Sequence, residues 1–168
     1  KVKRNDVVVG VSASGVTPFV NGALSEAKKL GAKTVLVACN SSSPGPKVDV
    51  LIAPVTGPEV IAGSTRLKAA TAAKLVLNRL TVASMVRLGK VYENWMVDLQ
   101  PRSKKLRARA LRILKRFTGV SDTGAEKLFR QAKGRVKPAI LMGRRNYSFG
   151  QALRTLKKTE GSLRKDLQ

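Results

Sequence analysis

The stretch Asp6-Val-Val-Val-Gly-Val-Ser-Ala-Ser-Gly-Val-Thr17-Pro18 decides the fold. Val7 to Val11 is a continuous, mostly β-branched run, the pattern of a strand covered on both faces of a parallel sheet. It passes into small hydroxyl residues and then into a helix start, with Thr17 as N-cap and Pro18 at the first helical position. In open α/β sheets the ligand crevice lies beyond the carboxyl ends of the strands, where the next helix presents unpaired N–H groups and its positive dipole end. Ser12, Ser14, Gly15 and Thr17 stand at that place, so the stretch reads as a phosphate cradle. Gly10 and Gly15 are expected to let backbone approach a ligand, and no carboxylate intrudes between Val7 and Val20. It is neither a Walker loop, since no Gly-Lys-Ser/Thr follows, nor a dinucleotide fingerprint, since Gly-x-Gly-x-x-Gly is absent. The competing reading is an ordinary strand-to-helix turn whose serines satisfy local backbone.

Working outward, residues 18–30 have helical spacing, with Phe19, Ala23, Ala27 and Leu30 on one face and Gly31 as C-cap. A second apolar strand is expected over 34–39, which makes a βαβ unit with parallel strands. Asn40 to Lys47 is turn chemistry beyond the second strand, placed to wall the crevice. A third short strand is expected over 48–53, and Thr56-Gly-Pro-Glu59 reads as a helix start. From Ser64 to Leu88 apolar residues recur at helical spacing, so a long and largely buried helix is expected there. Val91 to Val97 is an apolar-aromatic link whose Tyr92, Trp95 and Met96 suit core or subunit contacts.

Composition shifts at Pro101, taken here as a boundary between residues 1–100 and residues 101–168. Ser103 to Phe117 is a basic amphipathic helix, with Leu106, Ala110, Ile113, Leu114 and Phe117 inward and Arg102, Lys105, Arg109, Arg112 and Arg116 outward. Short helices over 122–132, 136–145 and 148–158 and a last turn over 162–167 complete a small helical, UBA-like appendage.

The 168 residues, 43% of them hydrophobic, suffice for a core. No apolar run approaches the roughly 20 residues of a membrane span, and no signal peptide is expected, so no membrane is expected as a partner. A single cysteine, Cys39, excludes an internal disulfide and suits a reducing, cytoplasmic compartment. With no histidine and no second cysteine, neither a metal site nor any other cofactor is expected. The 33 Lys and Arg against 10 Asp and Glu give a net charge of +23, which attracts anions of some kind. Only 4% of residues are aromatic, so stacking platforms for single-stranded nucleic acid are scarce. Three parallel strands and a long apolar helix leave surface that a complete doubly wound sheet would cover. The chain therefore reads as a sheet domain incomplete at its N-terminus.

The most specific run is Gly57-Pro-Glu-Val-Ile-Ala-Gly-Ser-Thr-Arg-Leu-Lys-Ala-Ala-Thr-Ala-Ala-Lys74. Ser64 and Thr65 follow Gly63, so their hydroxyls and N–H groups can point into the crevice, and Arg66 and Lys68 add positive charge. Glu59 suits hydrogen bonds to sugar hydroxyls, or simply a helix dipole. The run resembles the signature of the sugar isomerase (SIS) family branch that holds the N-acetylmuramic acid 6-phosphate etherases and the glucokinase regulatory protein. Asp6 to Pro18, the Val97-Asp98 turn, Thr118-Gly-Val-Ser121 and Glu160-Gly-Ser-Leu-Arg-Lys165 also resemble the etherase branch, so the resemblance covers nearly the whole chain. It implies the C-terminal part of a SIS domain, an amino sugar phosphate ligand held by Ser12, Ser14, Gly15, Thr17, Glu59, Ser64, Thr65 and Lys68, and a homodimer. It further implies a lyase that releases D-lactate from N-acetylmuramic acid 6-phosphate in peptidoglycan recycling. The two glutamates that serve that family as acid and base lie upstream of the segment matching Asp6, so the catalytic residues stay unknown. A non-catalytic sugar-phosphate sensor is the second reading, and a nucleic-acid-binding protein, resting on charge alone, is the third.

Overall fold

A computed structural model describes residues 1–40 and 45–167. The chain divides into two compact units, Lys1–Thr81 and Val82–Gln168. The change of composition at Pro101 falls inside the second unit, because Val97, Tyr92 and Trp95 ahead of it pack with the helical core.

In the first unit, β1 (Val7–Val11), α1 (Pro18–Lys29) and β2 (Lys33–Val37) form the expected βαβ unit, and β3 (Val50–Ile52) completes a parallel sheet of order β1-β2-β3. Val9 pairs with Val35, and Val35 with Val50. β2 is central, and Leu36 and Val37 are buried. Thr34, fully buried, donates its N–H and its hydroxyl to Asp49 Oδ2, each at 2.8 Å, and this clamp holds the approach to β3 against β2.

Several expectations fail in this unit. β1 is not covered on both faces: it is an edge strand among the described residues, and Val7, Val9 and Val11 remain exposed. Only its other side, Val8 and Gly10, meets α1, since one helix covers one face. The buried face of α1 is Leu24 and Ala27, with Val20 packed beside them, whereas Phe19 is 84% exposed and Leu30 is also exposed. The apolar residues of this helix allow two stripes, and Val20-Leu24-Ala27 is the one in register with the sheet. Gly10 explains why. A Cβ there would lie 2.7 Å from both Leu24 Cδ1 and Val20 Cγ1, so Gly10 admits a helix and not a ligand.

The helix start expected at Thr56–Glu59 does not form. Gly57 and Gly63 both take left-handed backbone, with φ of +65° and +78°, which interrupts any helical path before α2 (Lys68–Arg87). Nor is α2 largely buried: Ala69 alone is buried, while Leu75, Leu80, Val82 and Val86 are exposed, as is Leu88 just past its end. Its apolar residues lie all around the axis, and one packed side cannot cover them.

The second unit holds the hairpin β4 (Val91–Tyr92) and β5 (Trp95–Met96), then α3 (Lys104–Thr118), α4 (Asp122–Gln131), α5 (Val136–Arg145), α6 (Phe149–Lys158) and α7 (Leu163–Leu167). Ser103, Ser121 and Ser148 cap their helices, Ser148 through a capping box with Gln151. Gly119 ends α3 in left-handed backbone, as its sequence position suggests. Ala110, Ile113, Leu114, Ile140 and Leu141 form a fully buried centre. Tyr92 and Trp95 meet Phe117 edge to face at centroid distances of 4.9 and 6.4 Å, as core contacts.

Candidate functional site

Beyond the carboxyl ends of β1 and β2 the chain builds two polar clusters, and Cys39 links them. In the first, Ser12 is only 5% exposed. Its hydroxyl lies 2.7 Å from Thr17 Oγ1 and accepts the N–H of Gly15 at 3.1 Å. Gly15 completes the turn at φ +78°, and its N–H is shared with the Ser12 carbonyl. Thr17 stands at the N-cap position, but its side chain makes no cap bond because it is engaged with Ser12. Ser14 is exposed, and its hydroxyl takes only the N–H of Val16 at 3.4 Å. The first N–H groups of α1 that lack an intrahelical acceptor, at Phe19 and Val20, lie at its exposed N-terminus, since Pro18 has none to offer.

The turn after β2 was expected to wall the crevice; Ser41 to Pro44 lie outside the described residues. Gly45 comes back alongside the first cluster, where a Cβ would stand 3.4 Å from the Gly15 carbonyl oxygen.

The second cluster is the start of α2. Glu59 reaches across the loop, and its two oxygens accept the N–H groups of Lys68 at 2.9 Å and Ala69 at 3.0 Å. These bonds, Ala69's first and Lys68's second, hold its carboxyl below the usual range. Glu59 is thus the cap of α2 from nine residues upstream. Lys68 turns its ammonium back onto the Pro58 carbonyl at 2.9 Å, so loop and helix hold each other at both ends. Ser64 and Thr65 spend their N–H groups on Ile61 and Gly63. Their hydroxyls have no hydrogen-bond partner among the described residues. Arg66 is exposed beside them and lines an open depression of about 590 Å³ with Leu67, Lys68, Thr71, Ala72 and Leu75.

Cys39 joins the two clusters: its N–H donates to the Ala13 carbonyl at 3.0 Å, and its thiol donates to the Ala69 carbonyl at 3.5 Å. Burial, and next the Glu59 charge, push the thiol's pKa up, so it stays a protonated donor. The expected residues therefore divide by role. Ser12, Gly15, Thr17, Glu59 and Lys68 are consumed in building the frame, whereas Ser14, Ser64 and Thr65 keep hydroxyl capacity for a ligand. Two participants went unnoticed in the sequence, Ala13 through its carbonyl and Asn21 on the first turn of α1. The Asn21 side-chain oxygen is buried without a partner among the described residues, and an Asn between Val20 and Gly22 was the only signal for it.

The four carboxylates of this unit are all in structural use. Asp6 takes the Lys3 N–H at 2.8 Å, Glu26 pairs with Lys29 at 3.2 Å, Asp49 holds Thr34, and Glu59 caps α2.

No family model matches the chain. Its sequence is nonetheless similar to curated N-acetylmuramic acid 6-phosphate etherases. That of Geobacillus thermodenitrificans is 51% identical over 166 residues, 98% of this chain and 56% of the relative. The Oceanobacillus iheyensis protein is 48% identical over the same shares of both chains, and that of Yersinia pestis strain Pestoides F is 50% identical over 165 residues. The chain thus spans about half the length of the curated relatives it matches, and over nearly all of its own length it is similar to N-acetylmuramic acid 6-phosphate etherases.

Proposed function

We propose that the chain is the sugar-phosphate-binding portion of an N-acetylmuramic acid 6-phosphate etherase, built as the C-terminal part of a SIS domain with a helical appendage over 101–168. The observation that carries this reading is the etherase likeness across 98% of the chain, which takes in both polar clusters at the carboxyl ends of parallel strands. A phosphate would meet the Ser14 hydroxyl and the N–H groups at the start of α1. The sugar would meet the hydroxyls of Ser64 and Thr65, with Arg66 as the nearest unengaged cation. Ser12, Gly15, Thr17, Glu59 and Lys68 act one step behind, by fixing those groups in place. The exposed side of β1 and the apolar surface of α2 suit further covering by protein, in keeping with a homodimer.

The reaction in this family's name cleaves an ether. By the resemblance above, D-lactate is eliminated and water added to leave N-acetylglucosamine 6-phosphate. That chemistry needs a proton acceptor beside carbon and a donor for the leaving oxygen, each typically worth about 10²- to 10⁴-fold. With all four carboxylates of the sheet unit in structural use, this chain alone binds without turnover. A non-catalytic sugar-phosphate sensor is the second reading, favoured by the same commitment of Glu59 to the α2 cap.

The test has two parts. Calorimetry with N-acetylglucosamine 6-phosphate should show binding that weakens in a Ser14→Ala, Ser64→Ala double variant. D-lactate should be released from N-acetylmuramic acid 6-phosphate only by a polypeptide with the full length of the relatives. Unchanged affinity in the double variant would overturn the ligand assignment. Lactate release by this chain alone would overturn the division of labour, and none from the longer polypeptide would favour the sensor.

A further inference from the structure

The unit Val82–Gln168 carries 22 of the 33 Lys and Arg residues but only 6 of the 10 Asp and Glu. The way α3 distributes its share is informative. On the side toward α4 its cations are neutralised: Arg107 pairs with Glu126 at 2.6 Å and Lys115 with Asp122 at 2.7 Å. Another side carries Lys105, Arg109, Arg112 and Arg116, at intervals of four, three and four residues, which places them along one stripe. All four are exposed, and none has an ion pair or side-chain hydrogen bond among the described residues. α3 itself contains no acidic residue, and α5, packed against it, has none either. The acid near the stripe is Glu93, which lines a cavity of about 230 Å³ with Arg116 and Arg144. The stripe thus runs for about 16 Å with a positive charge every 5–6 Å.

Like charges at this spacing on a helix repel one another, and none of the four is held in an ion pair among the described residues. The missing partner is anionic and extended. It is not a bilayer that α3 enters, because the apolar face of α3 is spent on the core and no large hydrophobic residue is exposed between 89 and 167 among the described residues. A protein partner would be held by anchoring contacts beside its charges, and no large hydrophobic residue after Leu88 is exposed among the described residues to supply an apolar one. A polymer with regularly repeated negative charge has neither requirement.

We propose that the Lys105-Arg109-Arg112-Arg116 stripe of α3 is a phosphate-backbone track for nucleic acid, bound without base readout. This inference is independent of the sugar-phosphate reading, since no residue of either polar cluster takes part.

The experiment is an anisotropy titration of the whole chain with a fluorescein-labelled single-stranded 20-mer across a salt series. Counterion release predicts a slope of log K against log salt of about −0.7 per phosphate neutralised, or about −3 from four contacts. A Lys105→Gln, Arg109→Gln, Arg112→Gln, Arg116→Gln variant should lose that part of the slope. By the same relation it should bind about 10²- to 10³-fold more weakly at 0.1 M salt. The control removes four exposed charges from other helices of the unit, Lys127→Gln, Arg154→Gln, Lys157→Gln and Lys158→Gln, and should keep most of the affinity. Circular dichroism melting of both variants confirms that they are folded. Equal losses in the two variants would overturn the track in favour of diffuse charge. Absence of binding to the oligonucleotide at low salt would overturn the proposal, and so would tighter binding to phosphatidylglycerol vesicles than to the 20-mer.

Discussion

The proposed division between frame and ligand residues is sharpest at Ser12 and Ser14, two serines in one loop with opposite expected behaviour. Ser12→Ala removes a buried hydroxyl with two partners, Thr17 Oγ1 at 2.7 Å and the Gly15 N–H at 3.1 Å. Each such bond is worth about 0.5–1.5 kcal/mol net, so the substitution should weaken the β1–α1 turn by about 1–3 kcal/mol. The Gly15 N–H retains the Ser12 carbonyl at 3.1 Å, which keeps the loss toward the lower end. Ser14→Ala removes an exposed hydroxyl with one long contact at 3.4 Å, and exposed changes of that kind stay within about 0.5 kcal/mol. Trp95 and both tyrosines lie in the second unit, so fluorescence does not report on this turn. Hydrogen exchange followed by mass spectrometry does. Peptides covering Gly15 to Asn21 should exchange about 5- to 150-fold faster in Ser12→Ala, at tenfold per 1.4 kcal/mol, and unchanged in Ser14→Ala. Calorimetry should show the reverse emphasis, with Ser14→Ala weakening sugar-phosphate binding while exchange is undisturbed. If Ser12→Ala left exchange unaltered, the hydroxyl network would not be what holds the loop, and the reasoning fails.

Further outcomes follow from the same geometry. Ile140→Ala, at a fully buried site of the helical unit, should cost about 2–5 kcal/mol, read from the denaturant midpoint of Trp95 fluorescence; an unmoved midpoint would contradict the core assignment. Gly89→Ala should destabilise more than Gly119→Ala when both are melted. Both glycines have left-handed backbone, which costs a side chain about 1–2 kcal/mol. Only at Gly89 would the new Cβ also lie 2.9 Å from the Gly161 carbonyl carbon and oxygen, whereas Gly119 meets nothing within 4 Å. For pH, the Thr34 N–H first and then its hydroxyl hold the Asp49 carboxyl below its usual value, as the α2 N–H groups do for Glu59. A lowered folded-state value means that the stabilisation is full above the ordinary carboxylate range and is lost as pH falls through the lowered values. The sheet unit should therefore loosen below about pH 4, and Asp49→Asn should flatten part of that response in a hydrogen-exchange pH series; an unchanged profile would remove Asp49 from the account.

Local chemistry made most element positions legible without coordinates. Thr17-Pro18 marks the start of α1 and Gly31 its stop, because caps and left-handed turns depend on a few neighbouring residues. The βαβ unit follows from two apolar runs and short joints, and the inward face of α3 from a 3.6-residue period with its charges on the other side. The etherase likeness of the Gly57 to Lys74 run was equally readable, being a property of residue order. What the sequence alone could not decide was which of several compatible partners each group would take. Helix α1 carries enough apolar residues for two stripes, and only packing against Gly10 and Val8 selects Val20, Leu24 and Ala27 over Phe19 and Leu30. The burial foreseen for β1 and α2 depends on what lies against them, which periodicity does not reveal. Most of all, Glu59 reads as a sugar ligand or as the first turn of its own helix. The left-handed glycines at 57 and 63 instead fold the loop so that its carboxylate closes on the N–H groups of Lys68 and Ala69, nine and ten residues away. A carboxylate satisfies whichever donors the folded chain brings within about 3 Å, and that distance is set by tertiary structure.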